Sequence, residues 1–100
     1  MTAKYQIIYW RDIPAQVKMK IGRKRSSRPL SARFMAAVDA AAMQAGLTDS
    51  DGYMAEWRMG DCQEIPGEPE AFAEALVAQL EADYPGDRLR QMVKQGGWEA

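Results

Sequence analysis

Two Trp-Arg dipeptides, each beside an acidic residue, form the sharpest chemical grouping in this sequence. Trp and Arg carry much of the binding energy at protein interfaces, so the grouping predicts a protein-binding surface. The alternative is internal, because the same charges could pair across strands beside two indoles and stabilise a sheet. The residues proposed to bind are Trp10, Arg11, Asp12, Trp57 and Arg58, with Glu56 next to the second pair.

A run of basic residues is the second candidate site. Residues 1–33 contain nine Lys or Arg and one Asp, whereas residues 34–86 contain one Arg and eleven acids. Basic patches bind phosphate backbones by releasing counterions, so the run predicts nucleic-acid or other polyanion binding. Ion pairing with the acidic half is the alternative, and the sequence pI of 5.4 favours it. The residues proposed here are Lys18, Lys20, Arg23, Lys24, Arg25 and Arg28, followed by Arg33.

Catalytic groups are scarce. The chain has no His, which removes the commonest general base and metal ligand. Its one cysteine, Cys62, has Glu64 nearby, but a thiol without a basic partner is usually inert. Asp49, Asp51 and Asp61 lack the spacing of a calcium-binding loop and are better explained as turn residues. The sequence therefore favours a binding module over an enzyme, and we expect no metal or cofactor.

The totals are those of one ordinary domain. The chain has 100 residues, of which 47% are hydrophobic and 27% charged. No apolar run approaches a membrane span, and the N-terminus lacks the pattern of a signal peptide. We therefore expect a cytoplasmic protein without a membrane partner.

In the first half, period-two alternation predicts two strands over residues 5–10 and 16–21, joined by a turn at residues 12–15. A basic loop is expected over residues 23–28. Apolar residues at helical spacing predict a helix over 31–45, with Ser31 as its N-cap and Gly46 as its terminator.

The second half repeats this order. After a turn at residues 48–52, a second hairpin is predicted from residues 53–59 and 62–65. A helix over residues 68–84 follows, and residues 87–95 predict a short last helix. The fold class is therefore α+β: a two-layer ββαββα domain whose antiparallel sheet has both main helices on one face. We expect one domain over 1–100, with its core at 4–84 and a tail at 85–100.

Four segments resemble the small virulence factor domain family of bacteria. They are YWRDIPAQV at residues 9–17, GRKR at 22–25, AVDAAAM at 37–43 and EWR at 56–58. Together the resemblance covers most of residues 4–84. The family's domain occurs alone in short proteins and at the end of conserved virulence factor C type proteins with HEAT-like repeats.

The resemblance implies no catalytic residues. Combined with the composition, it favours a non-catalytic protein-interaction or accessory module, with another protein as partner. Polyanion or nucleic-acid binding through residues 18–33 is the first alternative. Some stand-alone members are encoded near corrinoid and folate methyl-transfer enzymes, which implies an accessory role in methyl transfer as the second.

Overall fold

A computed structural model describes residues 3–47 and 49–99, and it has an antiparallel sheet covered by helices. The predicted α+β class is confirmed. The elements follow the order βββααββαα instead of ββαββα. Their bounds are β1 (Ala3–Trp10), β2 (Ile13–Ile21), β3 (Lys24–Pro29), α1 (Ala32–Gln44), α2 (Ser50–Ala55), β4 (Trp57–Met59), β5 (Gln63–Glu64), α3 (Pro69–Asp83) and α4 (Gly86–Lys94).

The first hairpin forms as predicted, but its turn is shorter. Arg11 and Asp12 alone connect β1 to β2, and Arg11 has a φ of 53°. Ile13 and Pro14 already belong to β2, and the pairing is irregular between Ile8 and Tyr9 of β1. The turn predicted at residues 12–15 is therefore wrong, because Pro14 already pairs with Tyr9 and a bulge leaves Ala15 without a partner in β1.

The basic segment after Gly22 is a strand, not the predicted loop. β3 pairs antiparallel with β2 along its whole length and forms one edge of the sheet. Backbone hydrogen bonds hold it, so the segment needs no apolar alternation. Its charges and Pro29 are typical of an edge strand that must not recruit further strands.

The predicted second hairpin is wrong. Asp49 caps α2 by accepting a hydrogen bond from the Gly52 N–H at 3.4 Å, so the segment before Trp57 is helical. Thr48 of the predicted turn lies outside the described residues. β4 and β5 both pair with β1, one at each end of the same edge, instead of with each other. Together they act as a fourth strand with an interruption.

The three longer helices, α1, α3 and α4, lie where the sequence predicted helices. α1 matches the helix predicted over 31–45, although Ser31 bonds to Glu81 instead of capping its own helix. α3 begins at Pro69, and the Glu68 carboxylate accepts a hydrogen bond from the Ala71 N–H at 2.6 Å. α4 packs against α1 and buries Leu89 and Met92, so the core extends beyond residue 84.

The sheet has one covered face and one open face. Tyr5 packs against Phe72 of α3 at 4.9 Å between ring centroids, and its β2 neighbour Met19 is buried. The residues that alternate with these, Lys18 and Lys20, are exposed. One hydrophobic cluster joins the covered face of β2 to α1, α3 and α4. The helices therefore form a layer on one side, and the other side is open to solvent around Lys4, Lys18 and Lys20.

Candidate functional site

The strand register places basic side chains next to one another on the open face. Lys4 lies opposite Lys20, and Lys20 lies opposite Arg25, so three cations form a row across β1, β2 and β3. Strands are about 4.8 Å apart, so this row spans roughly 10 Å. Lys18 lies two residues along β2 on the same face. We call Lys4, Lys18, Lys20 and Arg25 the basic face.

Two further cations, Arg23 and Lys24, are exposed at the hairpin tip next to the basic face. None of these six residues forms a salt bridge with any part of the chain that the structure describes. In the described strand pairing, Glu64 of β5 lies opposite Lys4 at the far edge, and no other acid is a register partner of these residues. The charges of Lys18, Lys20 and Arg25, which have no acidic partner in the described strands, are therefore available to a ligand.

The acidic helix layer neutralises a different part of the basic run. Arg28 pairs with Glu70 of α3, and Arg33 pairs with Glu81 at 3.0 Å. Arg28 points to the helices because its neighbour across the ladder is the buried Val17. Of the seven basic residues proposed from sequence, Arg28 and Arg33 are thus used internally, and the other five remain exposed and unpaired among the described residues.

A shallow cleft of about 300 Å³ lies on the open face. All four members of the basic face line it, and the exposed Cys62 and Met59 form part of its wall. Its volume is at the lower limit of small-ligand sites, large enough for a phosphate group together with its neighbouring atoms. The cations therefore line a concave surface.

No aromatic ring is exposed on the open face within the described part of β1, β2 and β3. Between the basic residues stand Gln6, Ile8, Gln16, Ser27 and Pro29. Trp10 follows in the alternation of β1 but is fully buried. Proteins that bind single-stranded nucleic acids stack bases on aromatic side chains, and this face offers none. It is suited to contact an anionic backbone.

The first Trp-Arg pair, Trp10 and Arg11, makes contacts with other parts of the protein. Trp10 is 0% exposed, and its indole N–H donates to the Tyr53 carbonyl at 2.9 Å. The Arg11 guanidinium lies 5.2 Å from the centre of the Trp10 ring and 5.1 Å from that of Trp98. It donates to the Gly96 carbonyl at 2.9 Å. These contacts hold the C-terminal segment against the β1–β2 turn. Arg11 also pairs with Glu56 at 3.4 Å, which is the kind of ion pair that the internal alternative describes.

The second pair is more accessible. Arg58 donates to the Arg11 carbonyl at 3.0 Å and to Asp12 at 3.4 Å, and its side chain keeps half of its exposure. Trp57 is half-buried and lies opposite Trp10 in the sheet. The structure thus brings the five proposed residues together, with Arg11 and Asp12 engaged by the protein's own groups. Binding of a partner by this set stays a prediction.

Within residues 3–47 and 49–99, no three acidic, Cys or His side chains come together as metal ligands would. No described helix is both long and apolar enough to cross a lipid bilayer.

Comparison with known proteins gives a family. The family model described as "Virulence factor" matches residues 8–93 of the 100-residue chain. The chain belongs to the virulence factor family. The match includes both Trp-Arg pairs, β2, β3 and nearly all of α4, and so extends the resemblance seen in the sequence. No curated protein and no solved structure matches the chain.

Membership of the virulence factor family leaves two sequence-based expectations without a test. An accessory role in methyl transfer stays a prediction, since it came from the resemblance alone. The cytoplasmic location expected from the sequence also stays a prediction.

Lys4 is a site residue that sequence reasoning missed, because the turn predicted at residues 12–15 gives a different register from the observed one.

Proposed function

We propose that the protein is a non-catalytic binding module whose basic face binds a polyanion. The first candidate ligand is the phosphate backbone of a nucleic acid. The observation that carries the proposal is the row of Lys4, Lys20 and Arg25 across three strands. Like charges in neighbouring positions destabilise a sheet. An anionic ligand relieves this repulsion when it binds.

The division of charge within the fold supports the same proposal. Arg28 and Arg33 pair with acids of the helix layer, whereas the basic face does not. The acidic pI belongs mainly to the helix side, so it gives no measure of the local potential above the open face. A phosphate chain approaching the sheet meets the basic face first.

The chemistry of the face determines how binding would work. With no exposed aromatic side chain to stack on bases, recognition rests on phosphate contacts, which carry no sequence information by themselves. We expect binding that is independent of sequence, falls steeply with salt and is at least as strong for duplex as for single strands.

An acidic protein surface is the second candidate ligand, because the lysines and Arg25 could pair with carboxylates as well as with phosphates. This candidate retains the protein partner that the sequence favoured, but moves it from the Trp-Arg set to the basic face. Carboxylates accept hydrogen bonds from Arg in the same forked geometry as phosphates do. Competition separates the two ligands.

The test is fluorescence anisotropy of a labelled short duplex DNA at low salt. Wild type should bind, and Lys18→Gln with Lys20→Gln should weaken binding strongly. Arg58→Gln and Lys94→Gln, which each remove one positive charge elsewhere, should bind as wild type does. Failure of the wild type to bind, or equal losses in the controls, would falsify the proposal. Displacement of the DNA by poly-glutamate at lower charge concentration than by unlabelled DNA would favour the acidic protein.

A further inference from the structure

A second cleft lies on the opposite side of the sheet from the basic face. Its volume is about 710 Å³, within the range of small-molecule sites. Tyr5, Ile7 and Tyr9 of β1 form its floor, on the face that carries the helices. Tyr84, at the end of α3, closes one side, and residues 58–61 with Gln63 form the other. We call this the tyrosine cleft.

The tyrosine cleft presents hydroxyl groups. Tyr5 donates to the Gln63 side-chain oxygen at 2.9 Å. Tyr9 and Tyr84 donate to no described residue, so their hydroxyls are open to a ligand. Burial is the main cause that raises the pKa of both phenols above 10.0, and each gains a further rise from a neighbouring tyrosine in the cleft. Both groups are therefore neutral at ordinary pH and can donate and accept hydrogen bonds.

The charges around the cleft are already compensated. Arg58 pairs with Asp12 at 3.4 Å, and the other Asp12 oxygen accepts the Glu99 N–H at 2.8 Å. Glu99 in turn pairs with Arg88 at 2.5 Å. An anionic ligand would compete with Asp12 for Arg58. The exposed Asp61 is the one carboxylate of the described lining that lacks such a partner, and it can accept hydrogen bonds from a ligand.

The ring faces are occupied as well. The guanidinium of Arg58 lies 4.5 Å from the centre of the Tyr9 ring, and that of Arg88 lies 4.0 Å from the centre of the Tyr84 ring. Binding sites for organic cations use open aromatic faces. In the tyrosine cleft the protein's own arginines already occupy one such position on each of these two rings, and the hydroxyl groups are the polar groups that the rings offer to a ligand.

From this we infer that the tyrosine cleft binds a neutral, polyhydroxylated ligand with the size of a mono- or disaccharide. The hydroxyls of Tyr9 and Tyr84 and the carboxylate of Asp61 are its hydrogen-bonding groups. Tyr5 and Met59 border both clefts, but the tyrosine cleft contains none of the four residues of the basic face, so this inference does not rest on the polyanion proposal.

The test is an NMR titration of the isotope-labelled protein with glucose, N-acetylglucosamine and maltose. Choline chloride and inorganic phosphate serve as the cationic and anionic comparison ligands. At least one sugar should shift the amide signals of residues 58–63 and 84, and should do so at lower concentration than either comparison ligand. Absence of shifts with all three sugars, or stronger shifts with choline or phosphate, overturns the inference.

Single-hydroxyl variants assign the effect to the cleft. Tyr9→Phe and Tyr84→Phe should each weaken sugar binding about three- to tenfold, the effect of one lost hydrogen bond. Tyr53→Phe, a matched change outside the cleft, should bind sugar as wild type does. Unchanged affinity in both cleft variants, or an equal loss in the control, also overturns the inference. Their NMR spectra show directly whether the variants are folded.

Discussion

Lys20 of β2 lies directly opposite Lys4 of β1, although two like charges in this position repel each other. Arg25 extends the repulsion from the other side of Lys20. Glu64 lies opposite Lys4 at the far edge of the row, whereas Glu70 and Glu81 of α3 pair with Arg28 and Arg33 on the helix side of the sheet. Sheets usually place opposite charges or neutral residues at such sites, so the arrangement costs stability and points to binding.

Neutralising Lys20 should therefore have opposite effects on stability and on binding. Lys20→Gln should raise the free energy of unfolding by roughly 0.2–1 kcal/mol, because one charge leaves the row. The same variant should bind duplex DNA more weakly than wild type. Urea denaturation and anisotropy measure the two quantities. The control Lys94→Gln removes a cation from the last turn of α4, where a cation is favourable, and should lower stability slightly without affecting binding.

Cys62 reports directly on occupation of the basic face. It is exposed, it lines the same cleft as Lys4 and Lys20, and it is the one cysteine of the sequence. Bound duplex DNA should slow its modification by a neutral maleimide severalfold. The lysine double variant should lose this protection at the same DNA concentration. Equal modification rates with and without DNA, under conditions where anisotropy shows binding, would place the ligand elsewhere on the protein.

The C-terminal segment should be sensitive at Gly97. This residue has a φ of 98°, and a Cβ built there would lie 2.9 Å from the Trp10 ring. Gly97→Ala should lower the free energy of unfolding by roughly 2–4 kcal/mol, because left-handed strain and overpacking add together. Gly67→Ala is the matched control, since Gly67 has a φ of 81° and no atom within 4 Å of the added carbon. It should cost only about 1–2 kcal/mol. Equal losses would mean that the Trp10 contact is unimportant.

Glu81 makes the link between α1 and α3 dependent on pH. Burial by itself raises the pKa of Glu81, but hydrogen bonds from Ser31 and Arg33 outweigh it and bring the pKa below 4.5. A carboxyl whose pKa is lowered by folding stabilises the protein above its unfolded pKa, and this contribution is lost as the pH falls through the folded value.

Wild type should therefore lose more stability than Glu81→Gln between about pH 7 and about pH 3 in urea titrations. Glu74→Gln is the control on the same helix. Glu74 is exposed and forms no salt bridge with a described residue, so this variant should follow the wild-type curve. A wild-type curve parallel to that of Glu81→Gln would contradict the assigned role of Glu81.

The first hairpin and the three longer helices could be predicted because each has a long, regular apolar pattern. β3 could not, since an edge strand exposes most of its side chains and KRSSRP has no alternation to detect. The segment before Trp57 alternates as a strand does, yet Asp49 caps a short helix there. In short segments of this kind, capping and pairing partners outweigh local periodicity.

The candidate site could be predicted only in part, because strand register decides which basic residues lie next to one another. Lys18, Lys20 and Arg25 stand out in the sequence as a basic run, but Lys4 joins them only through strand register. That register depends on a bulge at Ala15 and a two-residue turn with Arg11 at a positive φ. Nor does the sequence tell which arginines the acidic helix neutralises, because Arg28 and Arg25 differ only in the face to which they point.

The salt dependence of duplex DNA binding tests the central claim most directly. If about four cations of the basic face replace counterions, the logarithm of the binding constant should fall against the logarithm of salt concentration with a slope of about −4. Lys20→Gln should reduce the magnitude of this slope by about 1, and Lys94→Gln should leave it unchanged. A wild-type slope near zero, or the same slope in Lys20→Gln as in wild type, would contradict the account.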